Sequence, residues 1–447
     1  MTGTSRRSFL KTLGVLSGLG VGGSGLATVR DGNESGGQTS PGRQSTQFVG
    51  TWTASPQAPY SEGVSQTGFT DQSVRMMSRT SVGGQQIRIR LSNAFGDDPV
   101  TFERTSVGIR AEEGTAAIES GTLRIVTFGG DEAITIPPGG RIISDPIELR
   151  VEPEQDVATT LYAAEPTGPT TWHALPTKTS YLSTAGDYTG TTAADAFETE
   201  AQQWFFLEGI DVLSPETNGS IACLGNSITD GFNSTVDANA AYPDVLAERV
   251  NEQNSLKKSV INAGISGNRV LNDSACCGVN ALARFDRDVL TQTGVTDVIL
   301  LEGINDIGFE KLDGEATQPA TSVTAADIID GYQQLIRRAH SEGVRIIGGT
   351  LTPFKGADYY YEEGEAKRQE VNEYIRTSGA FDGIVDFDAA IRDPDNPKRI
   401  LPKYDSGDNL HPNDAGYRAM AEAIDLKLFQ SRGRAERGAE NKATGNS

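Results

Sequence analysis

The pattern of apolar and polar positions changes once along the chain, near Pro215. Before it, residues 86–91 (Gln-Ile-Arg-Ile-Arg-Leu) alternate apolar with polar or charged side chains, a period of two that is typical of a strand with one buried face. Similar short runs, separated by Gly, Pro and Asp, lie at 123–128, 133–136, 147–151 and 159–163. Since no helical period is convincing here, the pattern predicts an antiparallel β-sandwich domain over residues 48–213.

After Pro215 apolar runs alternate with helical patterns. Five runs are long enough to be buried strands, and they lie at 220–225, 259–265, 297–302, 344–352 and 383–387. Segments 281–290 and 325–340 have apolar side chains at helical spacing, and a last amphipathic helix, with its stripe reaching Leu428, follows His411. Apolar strands joined by helices are typical of a parallel sheet covered on both faces. We therefore predict a three-layer α/β/α catalytic domain over residues 218–430.

Four short segments of the predicted α/β domain carry groups that acyl transfer by a serine requires. They are Gly225-Asn226-Ser227-Ile228-Thr229-Asp230-Gly231, Ile265-Ser266-Gly267-Asn268, Gly303-Ile304-Asn305-Asp306 and Asp408-Asn409-Leu410-His411-Pro412. Ser227 follows the first predicted strand of the sheet, and open α/β sheets form their binding crevice at the carboxyl ends of the strands. Taken alone, Ser227 could equally be a loop serine in a Gly-rich turn.

Negative charge develops on the former carbonyl oxygen during acyl transfer, and hydrogen-bond donors must be aimed at it in advance. The candidate donors are the backbone N–H groups of Ser227 and Gly267 and the side-chain amide of Asn305. Gly267 follows the second predicted strand and Asn305 the third, so both could reach the same rim. Each residue by itself could also be an ordinary turn residue.

The serine needs a base, and His411 with Asp408 three residues before it could supply one together with its orienting carboxylate. Only two other histidines occur. His340, at the polar end of a predicted helix, is interpreted as a solvated or capping residue. His173 lies in the β region with no acidic partner nearby in sequence, and a contact with the site across the domain interface stays open.

In order and spacing, the four segments resemble the four blocks of the SGNH (GDSL-type) hydrolase family. The resemblance covers residues 218–430 and implies a flavodoxin-like sheet, Ser227 as nucleophile, Asp408 and His411 as its triad partners, and Gly267 and Asn305 as oxyanion donors beside the Ser227 amide. It implies neither a metal nor a cofactor. The segment Gly50-Thr51-Trp52-Thr53-Ala54-Ser55-Pro56 resembles the extra N-terminal region of some secreted members. One departure is Asn226, where the family usually has Asp.

We therefore expect a secreted serine esterase that hydrolyses carboxylic esters through an acyl-enzyme. Its expected substrate is a small-molecule or polysaccharide ester, with O-acetyl groups on carbohydrate as the first choice. Two alternatives stay open. One is a lipase or lysophospholipase-type acyl hydrolase, and the other is a carbohydrate-binding surface protein with little catalysis.

The net charge of the chain limits the classes of binding partner that we expect. The 447 residues include 60 acidic and 39 basic side chains, a formal net charge of −21. Such a surface repels phosphates, so nucleic acid is excluded as an expected partner. Adaptation to high salt, where screening tolerates a dense acidic surface, is the favoured interpretation of the charge over a merely soluble acidic protein.

The N-terminus indicates export. Residues 5–11 (Ser-Arg-Arg-Ser-Phe-Leu-Lys) match a twin-arginine pattern and precede a Gly-rich, mildly apolar stretch. We expect cleavage near Ala27, an extracellular mature protein without a stable membrane span, a flexible leader at 28–47 and a disordered tail at 431–447.

Three cysteines cannot form a disulfide framework. Cys223 lies in the apolar run before Ser227 and is expected to be a buried thiol. The adjacent Cys276 and Cys277 could form a disulfide with each other or stay as two free thiols, and a metal site is the poorest of these interpretations.

Overall fold

The computed structural model describes residues 47–253, 256–314 and 317–430. The predicted export signal at 1–27, the leader at 28–47 apart from Gln47, and the predicted tail at 431–447 lie outside the described residues. All the described residues belong to one compact unit.

The β-rich region, residues 48–213, consists of two main antiparallel sheets that share one apolar core. Its strands are β1 (Phe48–Thr53), β2 (Gln72–Arg79), β3 (Ile87–Ser92), β4 (Val100–Phe102), β5 (Arg104–Ile109), β6 (Arg124–Val126), β7 (Ile134–Ile136), β8 (Arg141–Ile143), β9 (Asp156–Ala163), β10 (Trp172–His173), β11 (Ser180–Ala185), β12 (Thr199–Ala201), β13 (Trp204–Phe205) and β14 (Leu207–Leu213), with one short helix, α1 (Val64–Thr67). One sheet has the order β1-β14-β3-β8 and the other β12-β11-β2-β9-β5-β6. Ile87, Ile89 and Leu91 of β3 are fully buried, as the period of two predicted. The predicted antiparallel sandwich is confirmed.

One predicted strand of this region, 147–151, does not form a ladder. Ile147 and Val151 make only isolated bridges, to Ile87 and Gly84. The three apolar side chains of the segment, Ile147, Leu149 and Val151, are buried at the rim of the sandwich core, which explains the strand-like pattern. Burial on one face produces the period of two whether or not the backbone pairs continuously.

The α/β region, residues 220–430, contains a five-stranded parallel sheet with the order β16-β15-β17-β18-β19. Its strands are β15 (Ser220–Gly225), β16 (Ser259–Gly264), β17 (Val295–Leu301), β18 (Arg345–Gly349) and β19 (Gly383–Val385), with a small hairpin of β20 (Arg392–Asp393) and β21 (Asn396–Ile400). Its α-helices are α2 (Ser227–Asp230), α3 (Tyr242–Glu252), α4 (Ala281–Phe285), α5 (Ile304–Gly308), α6 (Ala325–Ser341), α7 (Glu362–Thr377), α8 (Phe387–Ile391) and α9 (Asp414–Glu422). In chain order this sheet is 2-1-3-4-5, the flavodoxin-like arrangement, so the predicted α/β fold is confirmed.

The helices agree with the sequence patterns in the middle of the region and differ near its end. The segment 281–290 is helical, with a π-helical turn over Asp286–Leu290, and 325–340 lies within α6. The helix after His411 is shorter than predicted, because α9 ends at Glu422 and a separate 3-10 turn covers Leu426–Phe429. In the ranges that the structure covers, no helix combines the length and the apolarity that a bilayer span needs.

Helix α7 has no counterpart in the sequence prediction. Three of its inward side chains are polar or charged, and Arg368 lies fully buried between Glu365 and Asp388 with Nη–O distances of 2.8 and 2.7 Å. The apolar stripe that would indicate a helix is therefore interrupted by a buried ion-pair network. Buried charges of this kind need partners, which sequence periodicity does not show.

The β-rich region and the α/β region are joined by polar contacts as well as by the chain. The Gly50 N–H donates to the Thr293 carbonyl oxygen over 2.8 Å, and the Thr53 hydroxyl donates to the Asn262 carbonyl oxygen over 2.8 Å. A side-chain pair near the sheet edge, Thr179 Oγ1 to Asp237 Oδ2, is 2.6 Å apart. The sandwich therefore lies directly against the α/β region, beside its edge strand β16.

Candidate active site

Ser227 is placed by the end of β15 and the start of α2. The strand ends at Gly225, and Asn226 then caps the helix, its Oδ1 accepting a hydrogen bond from the Ile228 N–H over 3.1 Å. Capping requires an acceptor oxygen at this position, and Asn supplies it as Asp would. The departure at Asn226 therefore leaves the loop geometry intact. Ser227 is the first residue of α2, where backbone N–H groups have no partner within a helix.

Ser227, His411 and Asp408 form a continuous hydrogen-bond relay. The Ser227 Oγ lies 2.8 Å from His411 Nε2, and His411 Nδ1 lies 2.6 Å from Asp408 Oδ2. The imidazole is nearly buried, with 10% of its side chain exposed, and packs against the Phe232 ring at a centroid distance of 4.7 Å. A carboxylate on Nδ1 fixes the tautomer in which Nε2 can accept a proton from the serine.

The Asp408 carboxylate is held by its own loop. Its Oδ1 accepts hydrogen bonds from the N–H groups of His411 and Leu410 over 2.8 and 2.9 Å, and Asn233 Nδ2 donates to Oδ2 over 3.0 Å. Partial burial raises the pKa of this carboxyl, but the hydrogen bonds from His411 and Leu410 and the charge of the imidazole outweigh burial and hold the pKa well below its usual range. Asp408 therefore stays ionised throughout the neutral range.

Gly267 presents a backbone amide at the same edge of the sheet. Its φ of +78° lies in the left-handed region, and a Cβ built on it would lie 2.4 Å from the Cys277 sulfur, so only glycine fits. The neighbouring amides of Ser266 and Asn268 donate to Asp230 and to the Ile265 carbonyl oxygen.

Asn305, in α5 directly after β17, has its amide orientation set by two neighbours. Its Nδ2 donates to the Asn268 carbonyl oxygen over 2.9 Å, and its Oδ1 accepts from the Tyr359 hydroxyl over 3.1 Å. Burial raises the pKa of Tyr359, so its hydroxyl remains a donor. An NH₂ group carries two hydrogens, and the second is available to a ligand.

Two buried carboxylates that sequence reasoning did not assign hold the loop that carries Gly267. Asp230 Oδ2 accepts from the N–H and the hydroxyl of Ser266 over 2.9 and 2.6 Å. Asp306 accepts from the N–H groups of Val270 and Leu271 over 2.7 and 3.0 Å, and burial raises its pKa to about 6. Asp230 follows Ser227 closely in sequence, and Asp306 follows Asn305 directly. This closeness is the signal by which the sequence could have identified them.

Four of the five predicted site residues line one open cleft, which we call the substrate cleft: Ser227, Gly267, Asn305 and His411. Asp408 contacts it only through His411. The side chains and loops that line it are mostly apolar or aromatic: Tyr60, Leu175, Ser227, Phe232, Ser266, Gly267, Cys276, Cys277, Asn305, Phe309, Tyr359, Leu410 and His411. Tyr60 and Leu175 belong to the β-rich region, so that region forms part of the wall. The structure joins Cys276 to Cys277 in a disulfide, and Cys223 is a buried free thiol.

The other two histidines occupy different surroundings. His340 is half-exposed and lies 2.9 Å from Asp382, at the amino-terminal edge of the sheet and away from the substrate cleft. His173 is buried and has an acidic partner after all, since its Nε2 lies 2.9 Å from Asp230 Oδ1. Proximity in sequence did not indicate this pair, because the two residues are 57 positions apart, one in the β-rich region and one in the α/β region.

Beneath the site, the side chain of Glu302 is fully buried. Neither oxygen of its carboxylate has a hydrogen-bond partner of good geometry among the described residues, and the guanidinium of Arg284 lies 3.8 Å away. Burial raises the pKa of this carboxyl to about 8 despite the nearby arginine. Between about pH 4.5 and pH 8 the folded protein therefore retains a proton that the unfolded chain has released, and the free energy of unfolding falls as the pH rises through this window.

Glu302→Gln is expected to raise the midpoint of thermal unfolding, by an amount that is small near pH 5 and grows until about pH 8. The amide keeps the shape of the neutral acid, and Arg284 keeps its partner Asp288 at 3.2 Å. Thermal unfolding of both proteins between pH 5 and pH 9 checks this, with Glu370→Gln, an exposed carboxylate on α7, as the control. An increase that does not vary with pH would contradict the assignment.

Comparison with known proteins gives one family match and several similar solved structures. Residues 223–419 match the model of the GDSL-like Lipase/Acylhydrolase family. Among solved structures, the chain is similar to a catalytic mutant of Axe2, an acetylxylan esterase from Geobacillus stearothermophilus, with 23% identity and a TM-score of 0.36 over 48% of this chain and 98% of that one. It is also similar to a GDSL-like lipase from Bacteroides thetaiotaomicron, with 16% identity and a TM-score of 0.35 over 47% of this chain and 88% of that one. The comparison with curated proteins found no match. Residues 223–419 are therefore a GDSL-like lipase/acylhydrolase domain, and the chain is a carboxylic ester hydrolase.

Proposed function

We infer that Ser227 is the nucleophile of a serine esterase that works through a covalent acyl-enzyme. The observation that carries this inference is the relay from Ser227 Oγ through His411 to Asp408, with distances of 2.8 and 2.6 Å, in an open cleft. A serine hydroxyl is a weak nucleophile until an adjacent base takes its proton, and His411 Nε2 is placed to do so.

In the first half-reaction Ser227 Oγ bonds to the ester carbonyl carbon while its proton passes to His411 Nε2. The carbonyl oxygen becomes an oxyanion held by the N–H groups of Ser227 and Gly267 and by Asn305 Nδ2. The imidazolium then gives the proton to the leaving alcohol, and the C–O bond to that alcohol breaks. Water, deprotonated by His411, attacks the acyl-enzyme, and its collapse returns the proton to Ser227 and releases the acid.

Labelling with a fluorophosphonate probe tests the nucleophile directly. The purified protein is expected to take up one probe per chain, and peptide mapping is expected to place the adduct on Ser227. Ser341→Ala, at an exposed serine at the end of α6, should label like the parent protein. Stoichiometric labelling of another residue, or none by a folded protein, would contradict the assignment.

For the substrate we favour short acyl esters, with O-acetyl groups on carbohydrate as the first candidate. The cleft is open to solvent beside the nucleophile and has aromatic rings, Tyr60 and Phe232, on its walls. Near the proposed oxyanion donors the space is limited, because Cys277 and the Phe309 ring lie close to Gly267 and Tyr359 contacts Asn305. A bulky alcohol fits the open side, and a small acyl group fits the crowded one.

Long-chain acyl hydrolysis is the second candidate, and the apolar side chains of Leu175, Leu410 and Phe309 in the substrate cleft favour it. A series of p-nitrophenyl esters separates the two. If the acyl chain were buried, each added methylene would contribute about 0.8 kcal/mol, roughly a fourfold gain in kcat/KM. We expect instead no gain beyond two to four carbons, together with release of acetate from acetylated oligosaccharides. A steady rise up to long chains would favour the lipase-type alternative, and an intact relay with no turnover of either class would favour a carbohydrate-binding protein.

Export by the twin-arginine route remains part of the proposed function, on the basis of residues 5–11 alone. Fractionation of cells that produce the full-length chain tests it, with Arg6→Lys/Arg7→Lys as the matched variant. Mature protein is expected in the medium only for the unaltered chain.

A further inference from the structure

His173, in strand β10 of the β-rich region, faces hydrogen-bond acceptors with both ring nitrogens. Its Nδ1 lies 2.9 Å from the Ser55 carbonyl oxygen, and its Nε2 lies 2.9 Å from Asp230 Oδ1. A neutral imidazole has one N–H donor and one acceptor, so it cannot satisfy two acceptors. The surroundings therefore match the imidazolium, in which both nitrogens donate.

Asp230, the partner of His173, belongs to one element of the proposed catalytic centre and contacts another. Asp230 is the last residue of α2, the short helix that begins at Ser227. Its second oxygen, Oδ2, accepts the hydrogen bonds from the N–H and the hydroxyl of Ser266, directly before Gly267. One carboxylate thus links the helix of the proposed nucleophile to the loop of a proposed oxyanion donor.

We propose that His173 is a positioning residue for ester hydrolysis, supplied by the β-rich region, which holds Asp230 and through it the Gly267 amide. This inference rests on the proposed function, since it takes Ser227 as nucleophile and Gly267 as oxyanion donor. A donor must lie within a few tenths of an ångström of its place in the transition state to be effective, and a loop with alternative positions would lose that alignment.

The electrostatics of the pair agree with this role. The side chains of His173 and Asp230 are 3% and 5% exposed, and a carboxylate so deeply buried needs a compensating charge. Asp230 and Arg284 are the charged groups that act on the imidazole. Burial and Arg284 lower the pKa of His173, but the charge of Asp230 and the hydrogen bonds to Asp230 and Ser55 outweigh them and raise it. The direction of this shift agrees with the imidazolium that the two hydrogen-bond acceptors require.

His173→Leu and His173→Gln test the proposal, with kcat, KM and the midpoint of thermal unfolding measured for each. His173→Leu is expected to lower kcat for p-nitrophenyl acetate by about 10- to 100-fold, with KM changed by less than about threefold, because the loop loses its alignment but the substrate cleft remains. His173→Gln keeps one donor toward Asp230 and is expected to recover part of this loss. His340→Gln is the matched control, since His340 is also paired with a carboxylate at 2.9 Å but lies away from the cleft.

A second comparison asks whether the effect passes through Asp230. In an Asp230→Asn background, His173→Gln is expected to change kcat by less than about twofold, because the charged link is already gone. kcat is calculated per chain that a fluorophosphonate labels, so that a smaller folded fraction does not lower the measured kcat. A folded His173→Leu with unchanged kcat, or a His173→Gln loss of the same size in both backgrounds, would overturn the proposal. If the proposed function itself were wrong, Ser227→Ala would keep its turnover, whatever the kcat of the His173 variants.

Discussion

Replacing Ser227 with alanine is expected to lower kcat for small esters by about 10⁴- to 10⁶-fold, the range seen when a serine nucleophile is removed from a complete triad. The loss is large because the covalent route disappears, whereas the oxyanion donors that remain accelerate direct attack by water only weakly. KM should change little, since the hydroxyl adds almost nothing to the walls of the substrate cleft.

Steady-state kinetics on p-nitrophenyl acetate, together with fluorophosphonate labelling, check this. The Ser341→Ala protein is the control for preparation and assay. Residual turnover within tenfold of the parent protein, by material free of contaminating esterase, would exclude Ser227 as nucleophile.

Asp408→Asn is expected to lower kcat by about 10⁴-fold with the fold intact. The amide nitrogen would face His411 Nδ1, where the Asp408 Oδ2 now lies at 2.6 Å. Two donors cannot face each other, so the imidazole would take the tautomer with its proton on Nε2. That nitrogen points at Ser227 and could no longer accept the serine proton.

The matched control is Asp382→Asn, which removes the carboxylate beside His340 in the same way. It should leave kcat unchanged. Thermal unfolding of both variants separates a tautomer effect from a loss of structure. If Asp408→Asn kept more than about a tenth of the parent kcat, the carboxylate would have no part in orienting His411, since a change of tautomer stops proton transfer almost completely.

The fold could be predicted from sequence wherever burial left a regular pattern. The five apolar runs became the strands of the parallel sheet, and the alternation in 86–91 became β3. The pattern was insufficient where polar groups are buried with partners, as in α7 around Arg368. At 147–151 the pattern predicted a strand that does not form, because the side chains there are buried without a continuous ladder.

The site was predictable for a related reason. Ser227, Gly267 and Asn305 each come just after a strand, and the ends of parallel strands meet at one edge of a sheet, so their convergence follows from topology. Asp408 and His411 are close in sequence and need only a turn. The residues that support them could not be found in this way. Tyr359 has no sequence signal, and the pair of His173 and Asp230 joins positions 57 residues apart, one in the β-rich region and one in the α/β region.

The contacts between the β-rich and α/β regions bear on how such chains can arise by recombination. The buried imidazolium of His173 in the β-rich region is paired with the buried carboxylate of Asp230 in the α/β region. Exchanging the sandwich for an unrelated one would leave Asp230 without its counter-charge. Removing one partner of a buried ion pair typically destabilises a protein by about 3–5 kcal/mol, a large share of the stability of most proteins. A chimera that carries an unrelated sandwich is therefore expected to regain stability when Asp230 is also replaced by a neutral residue.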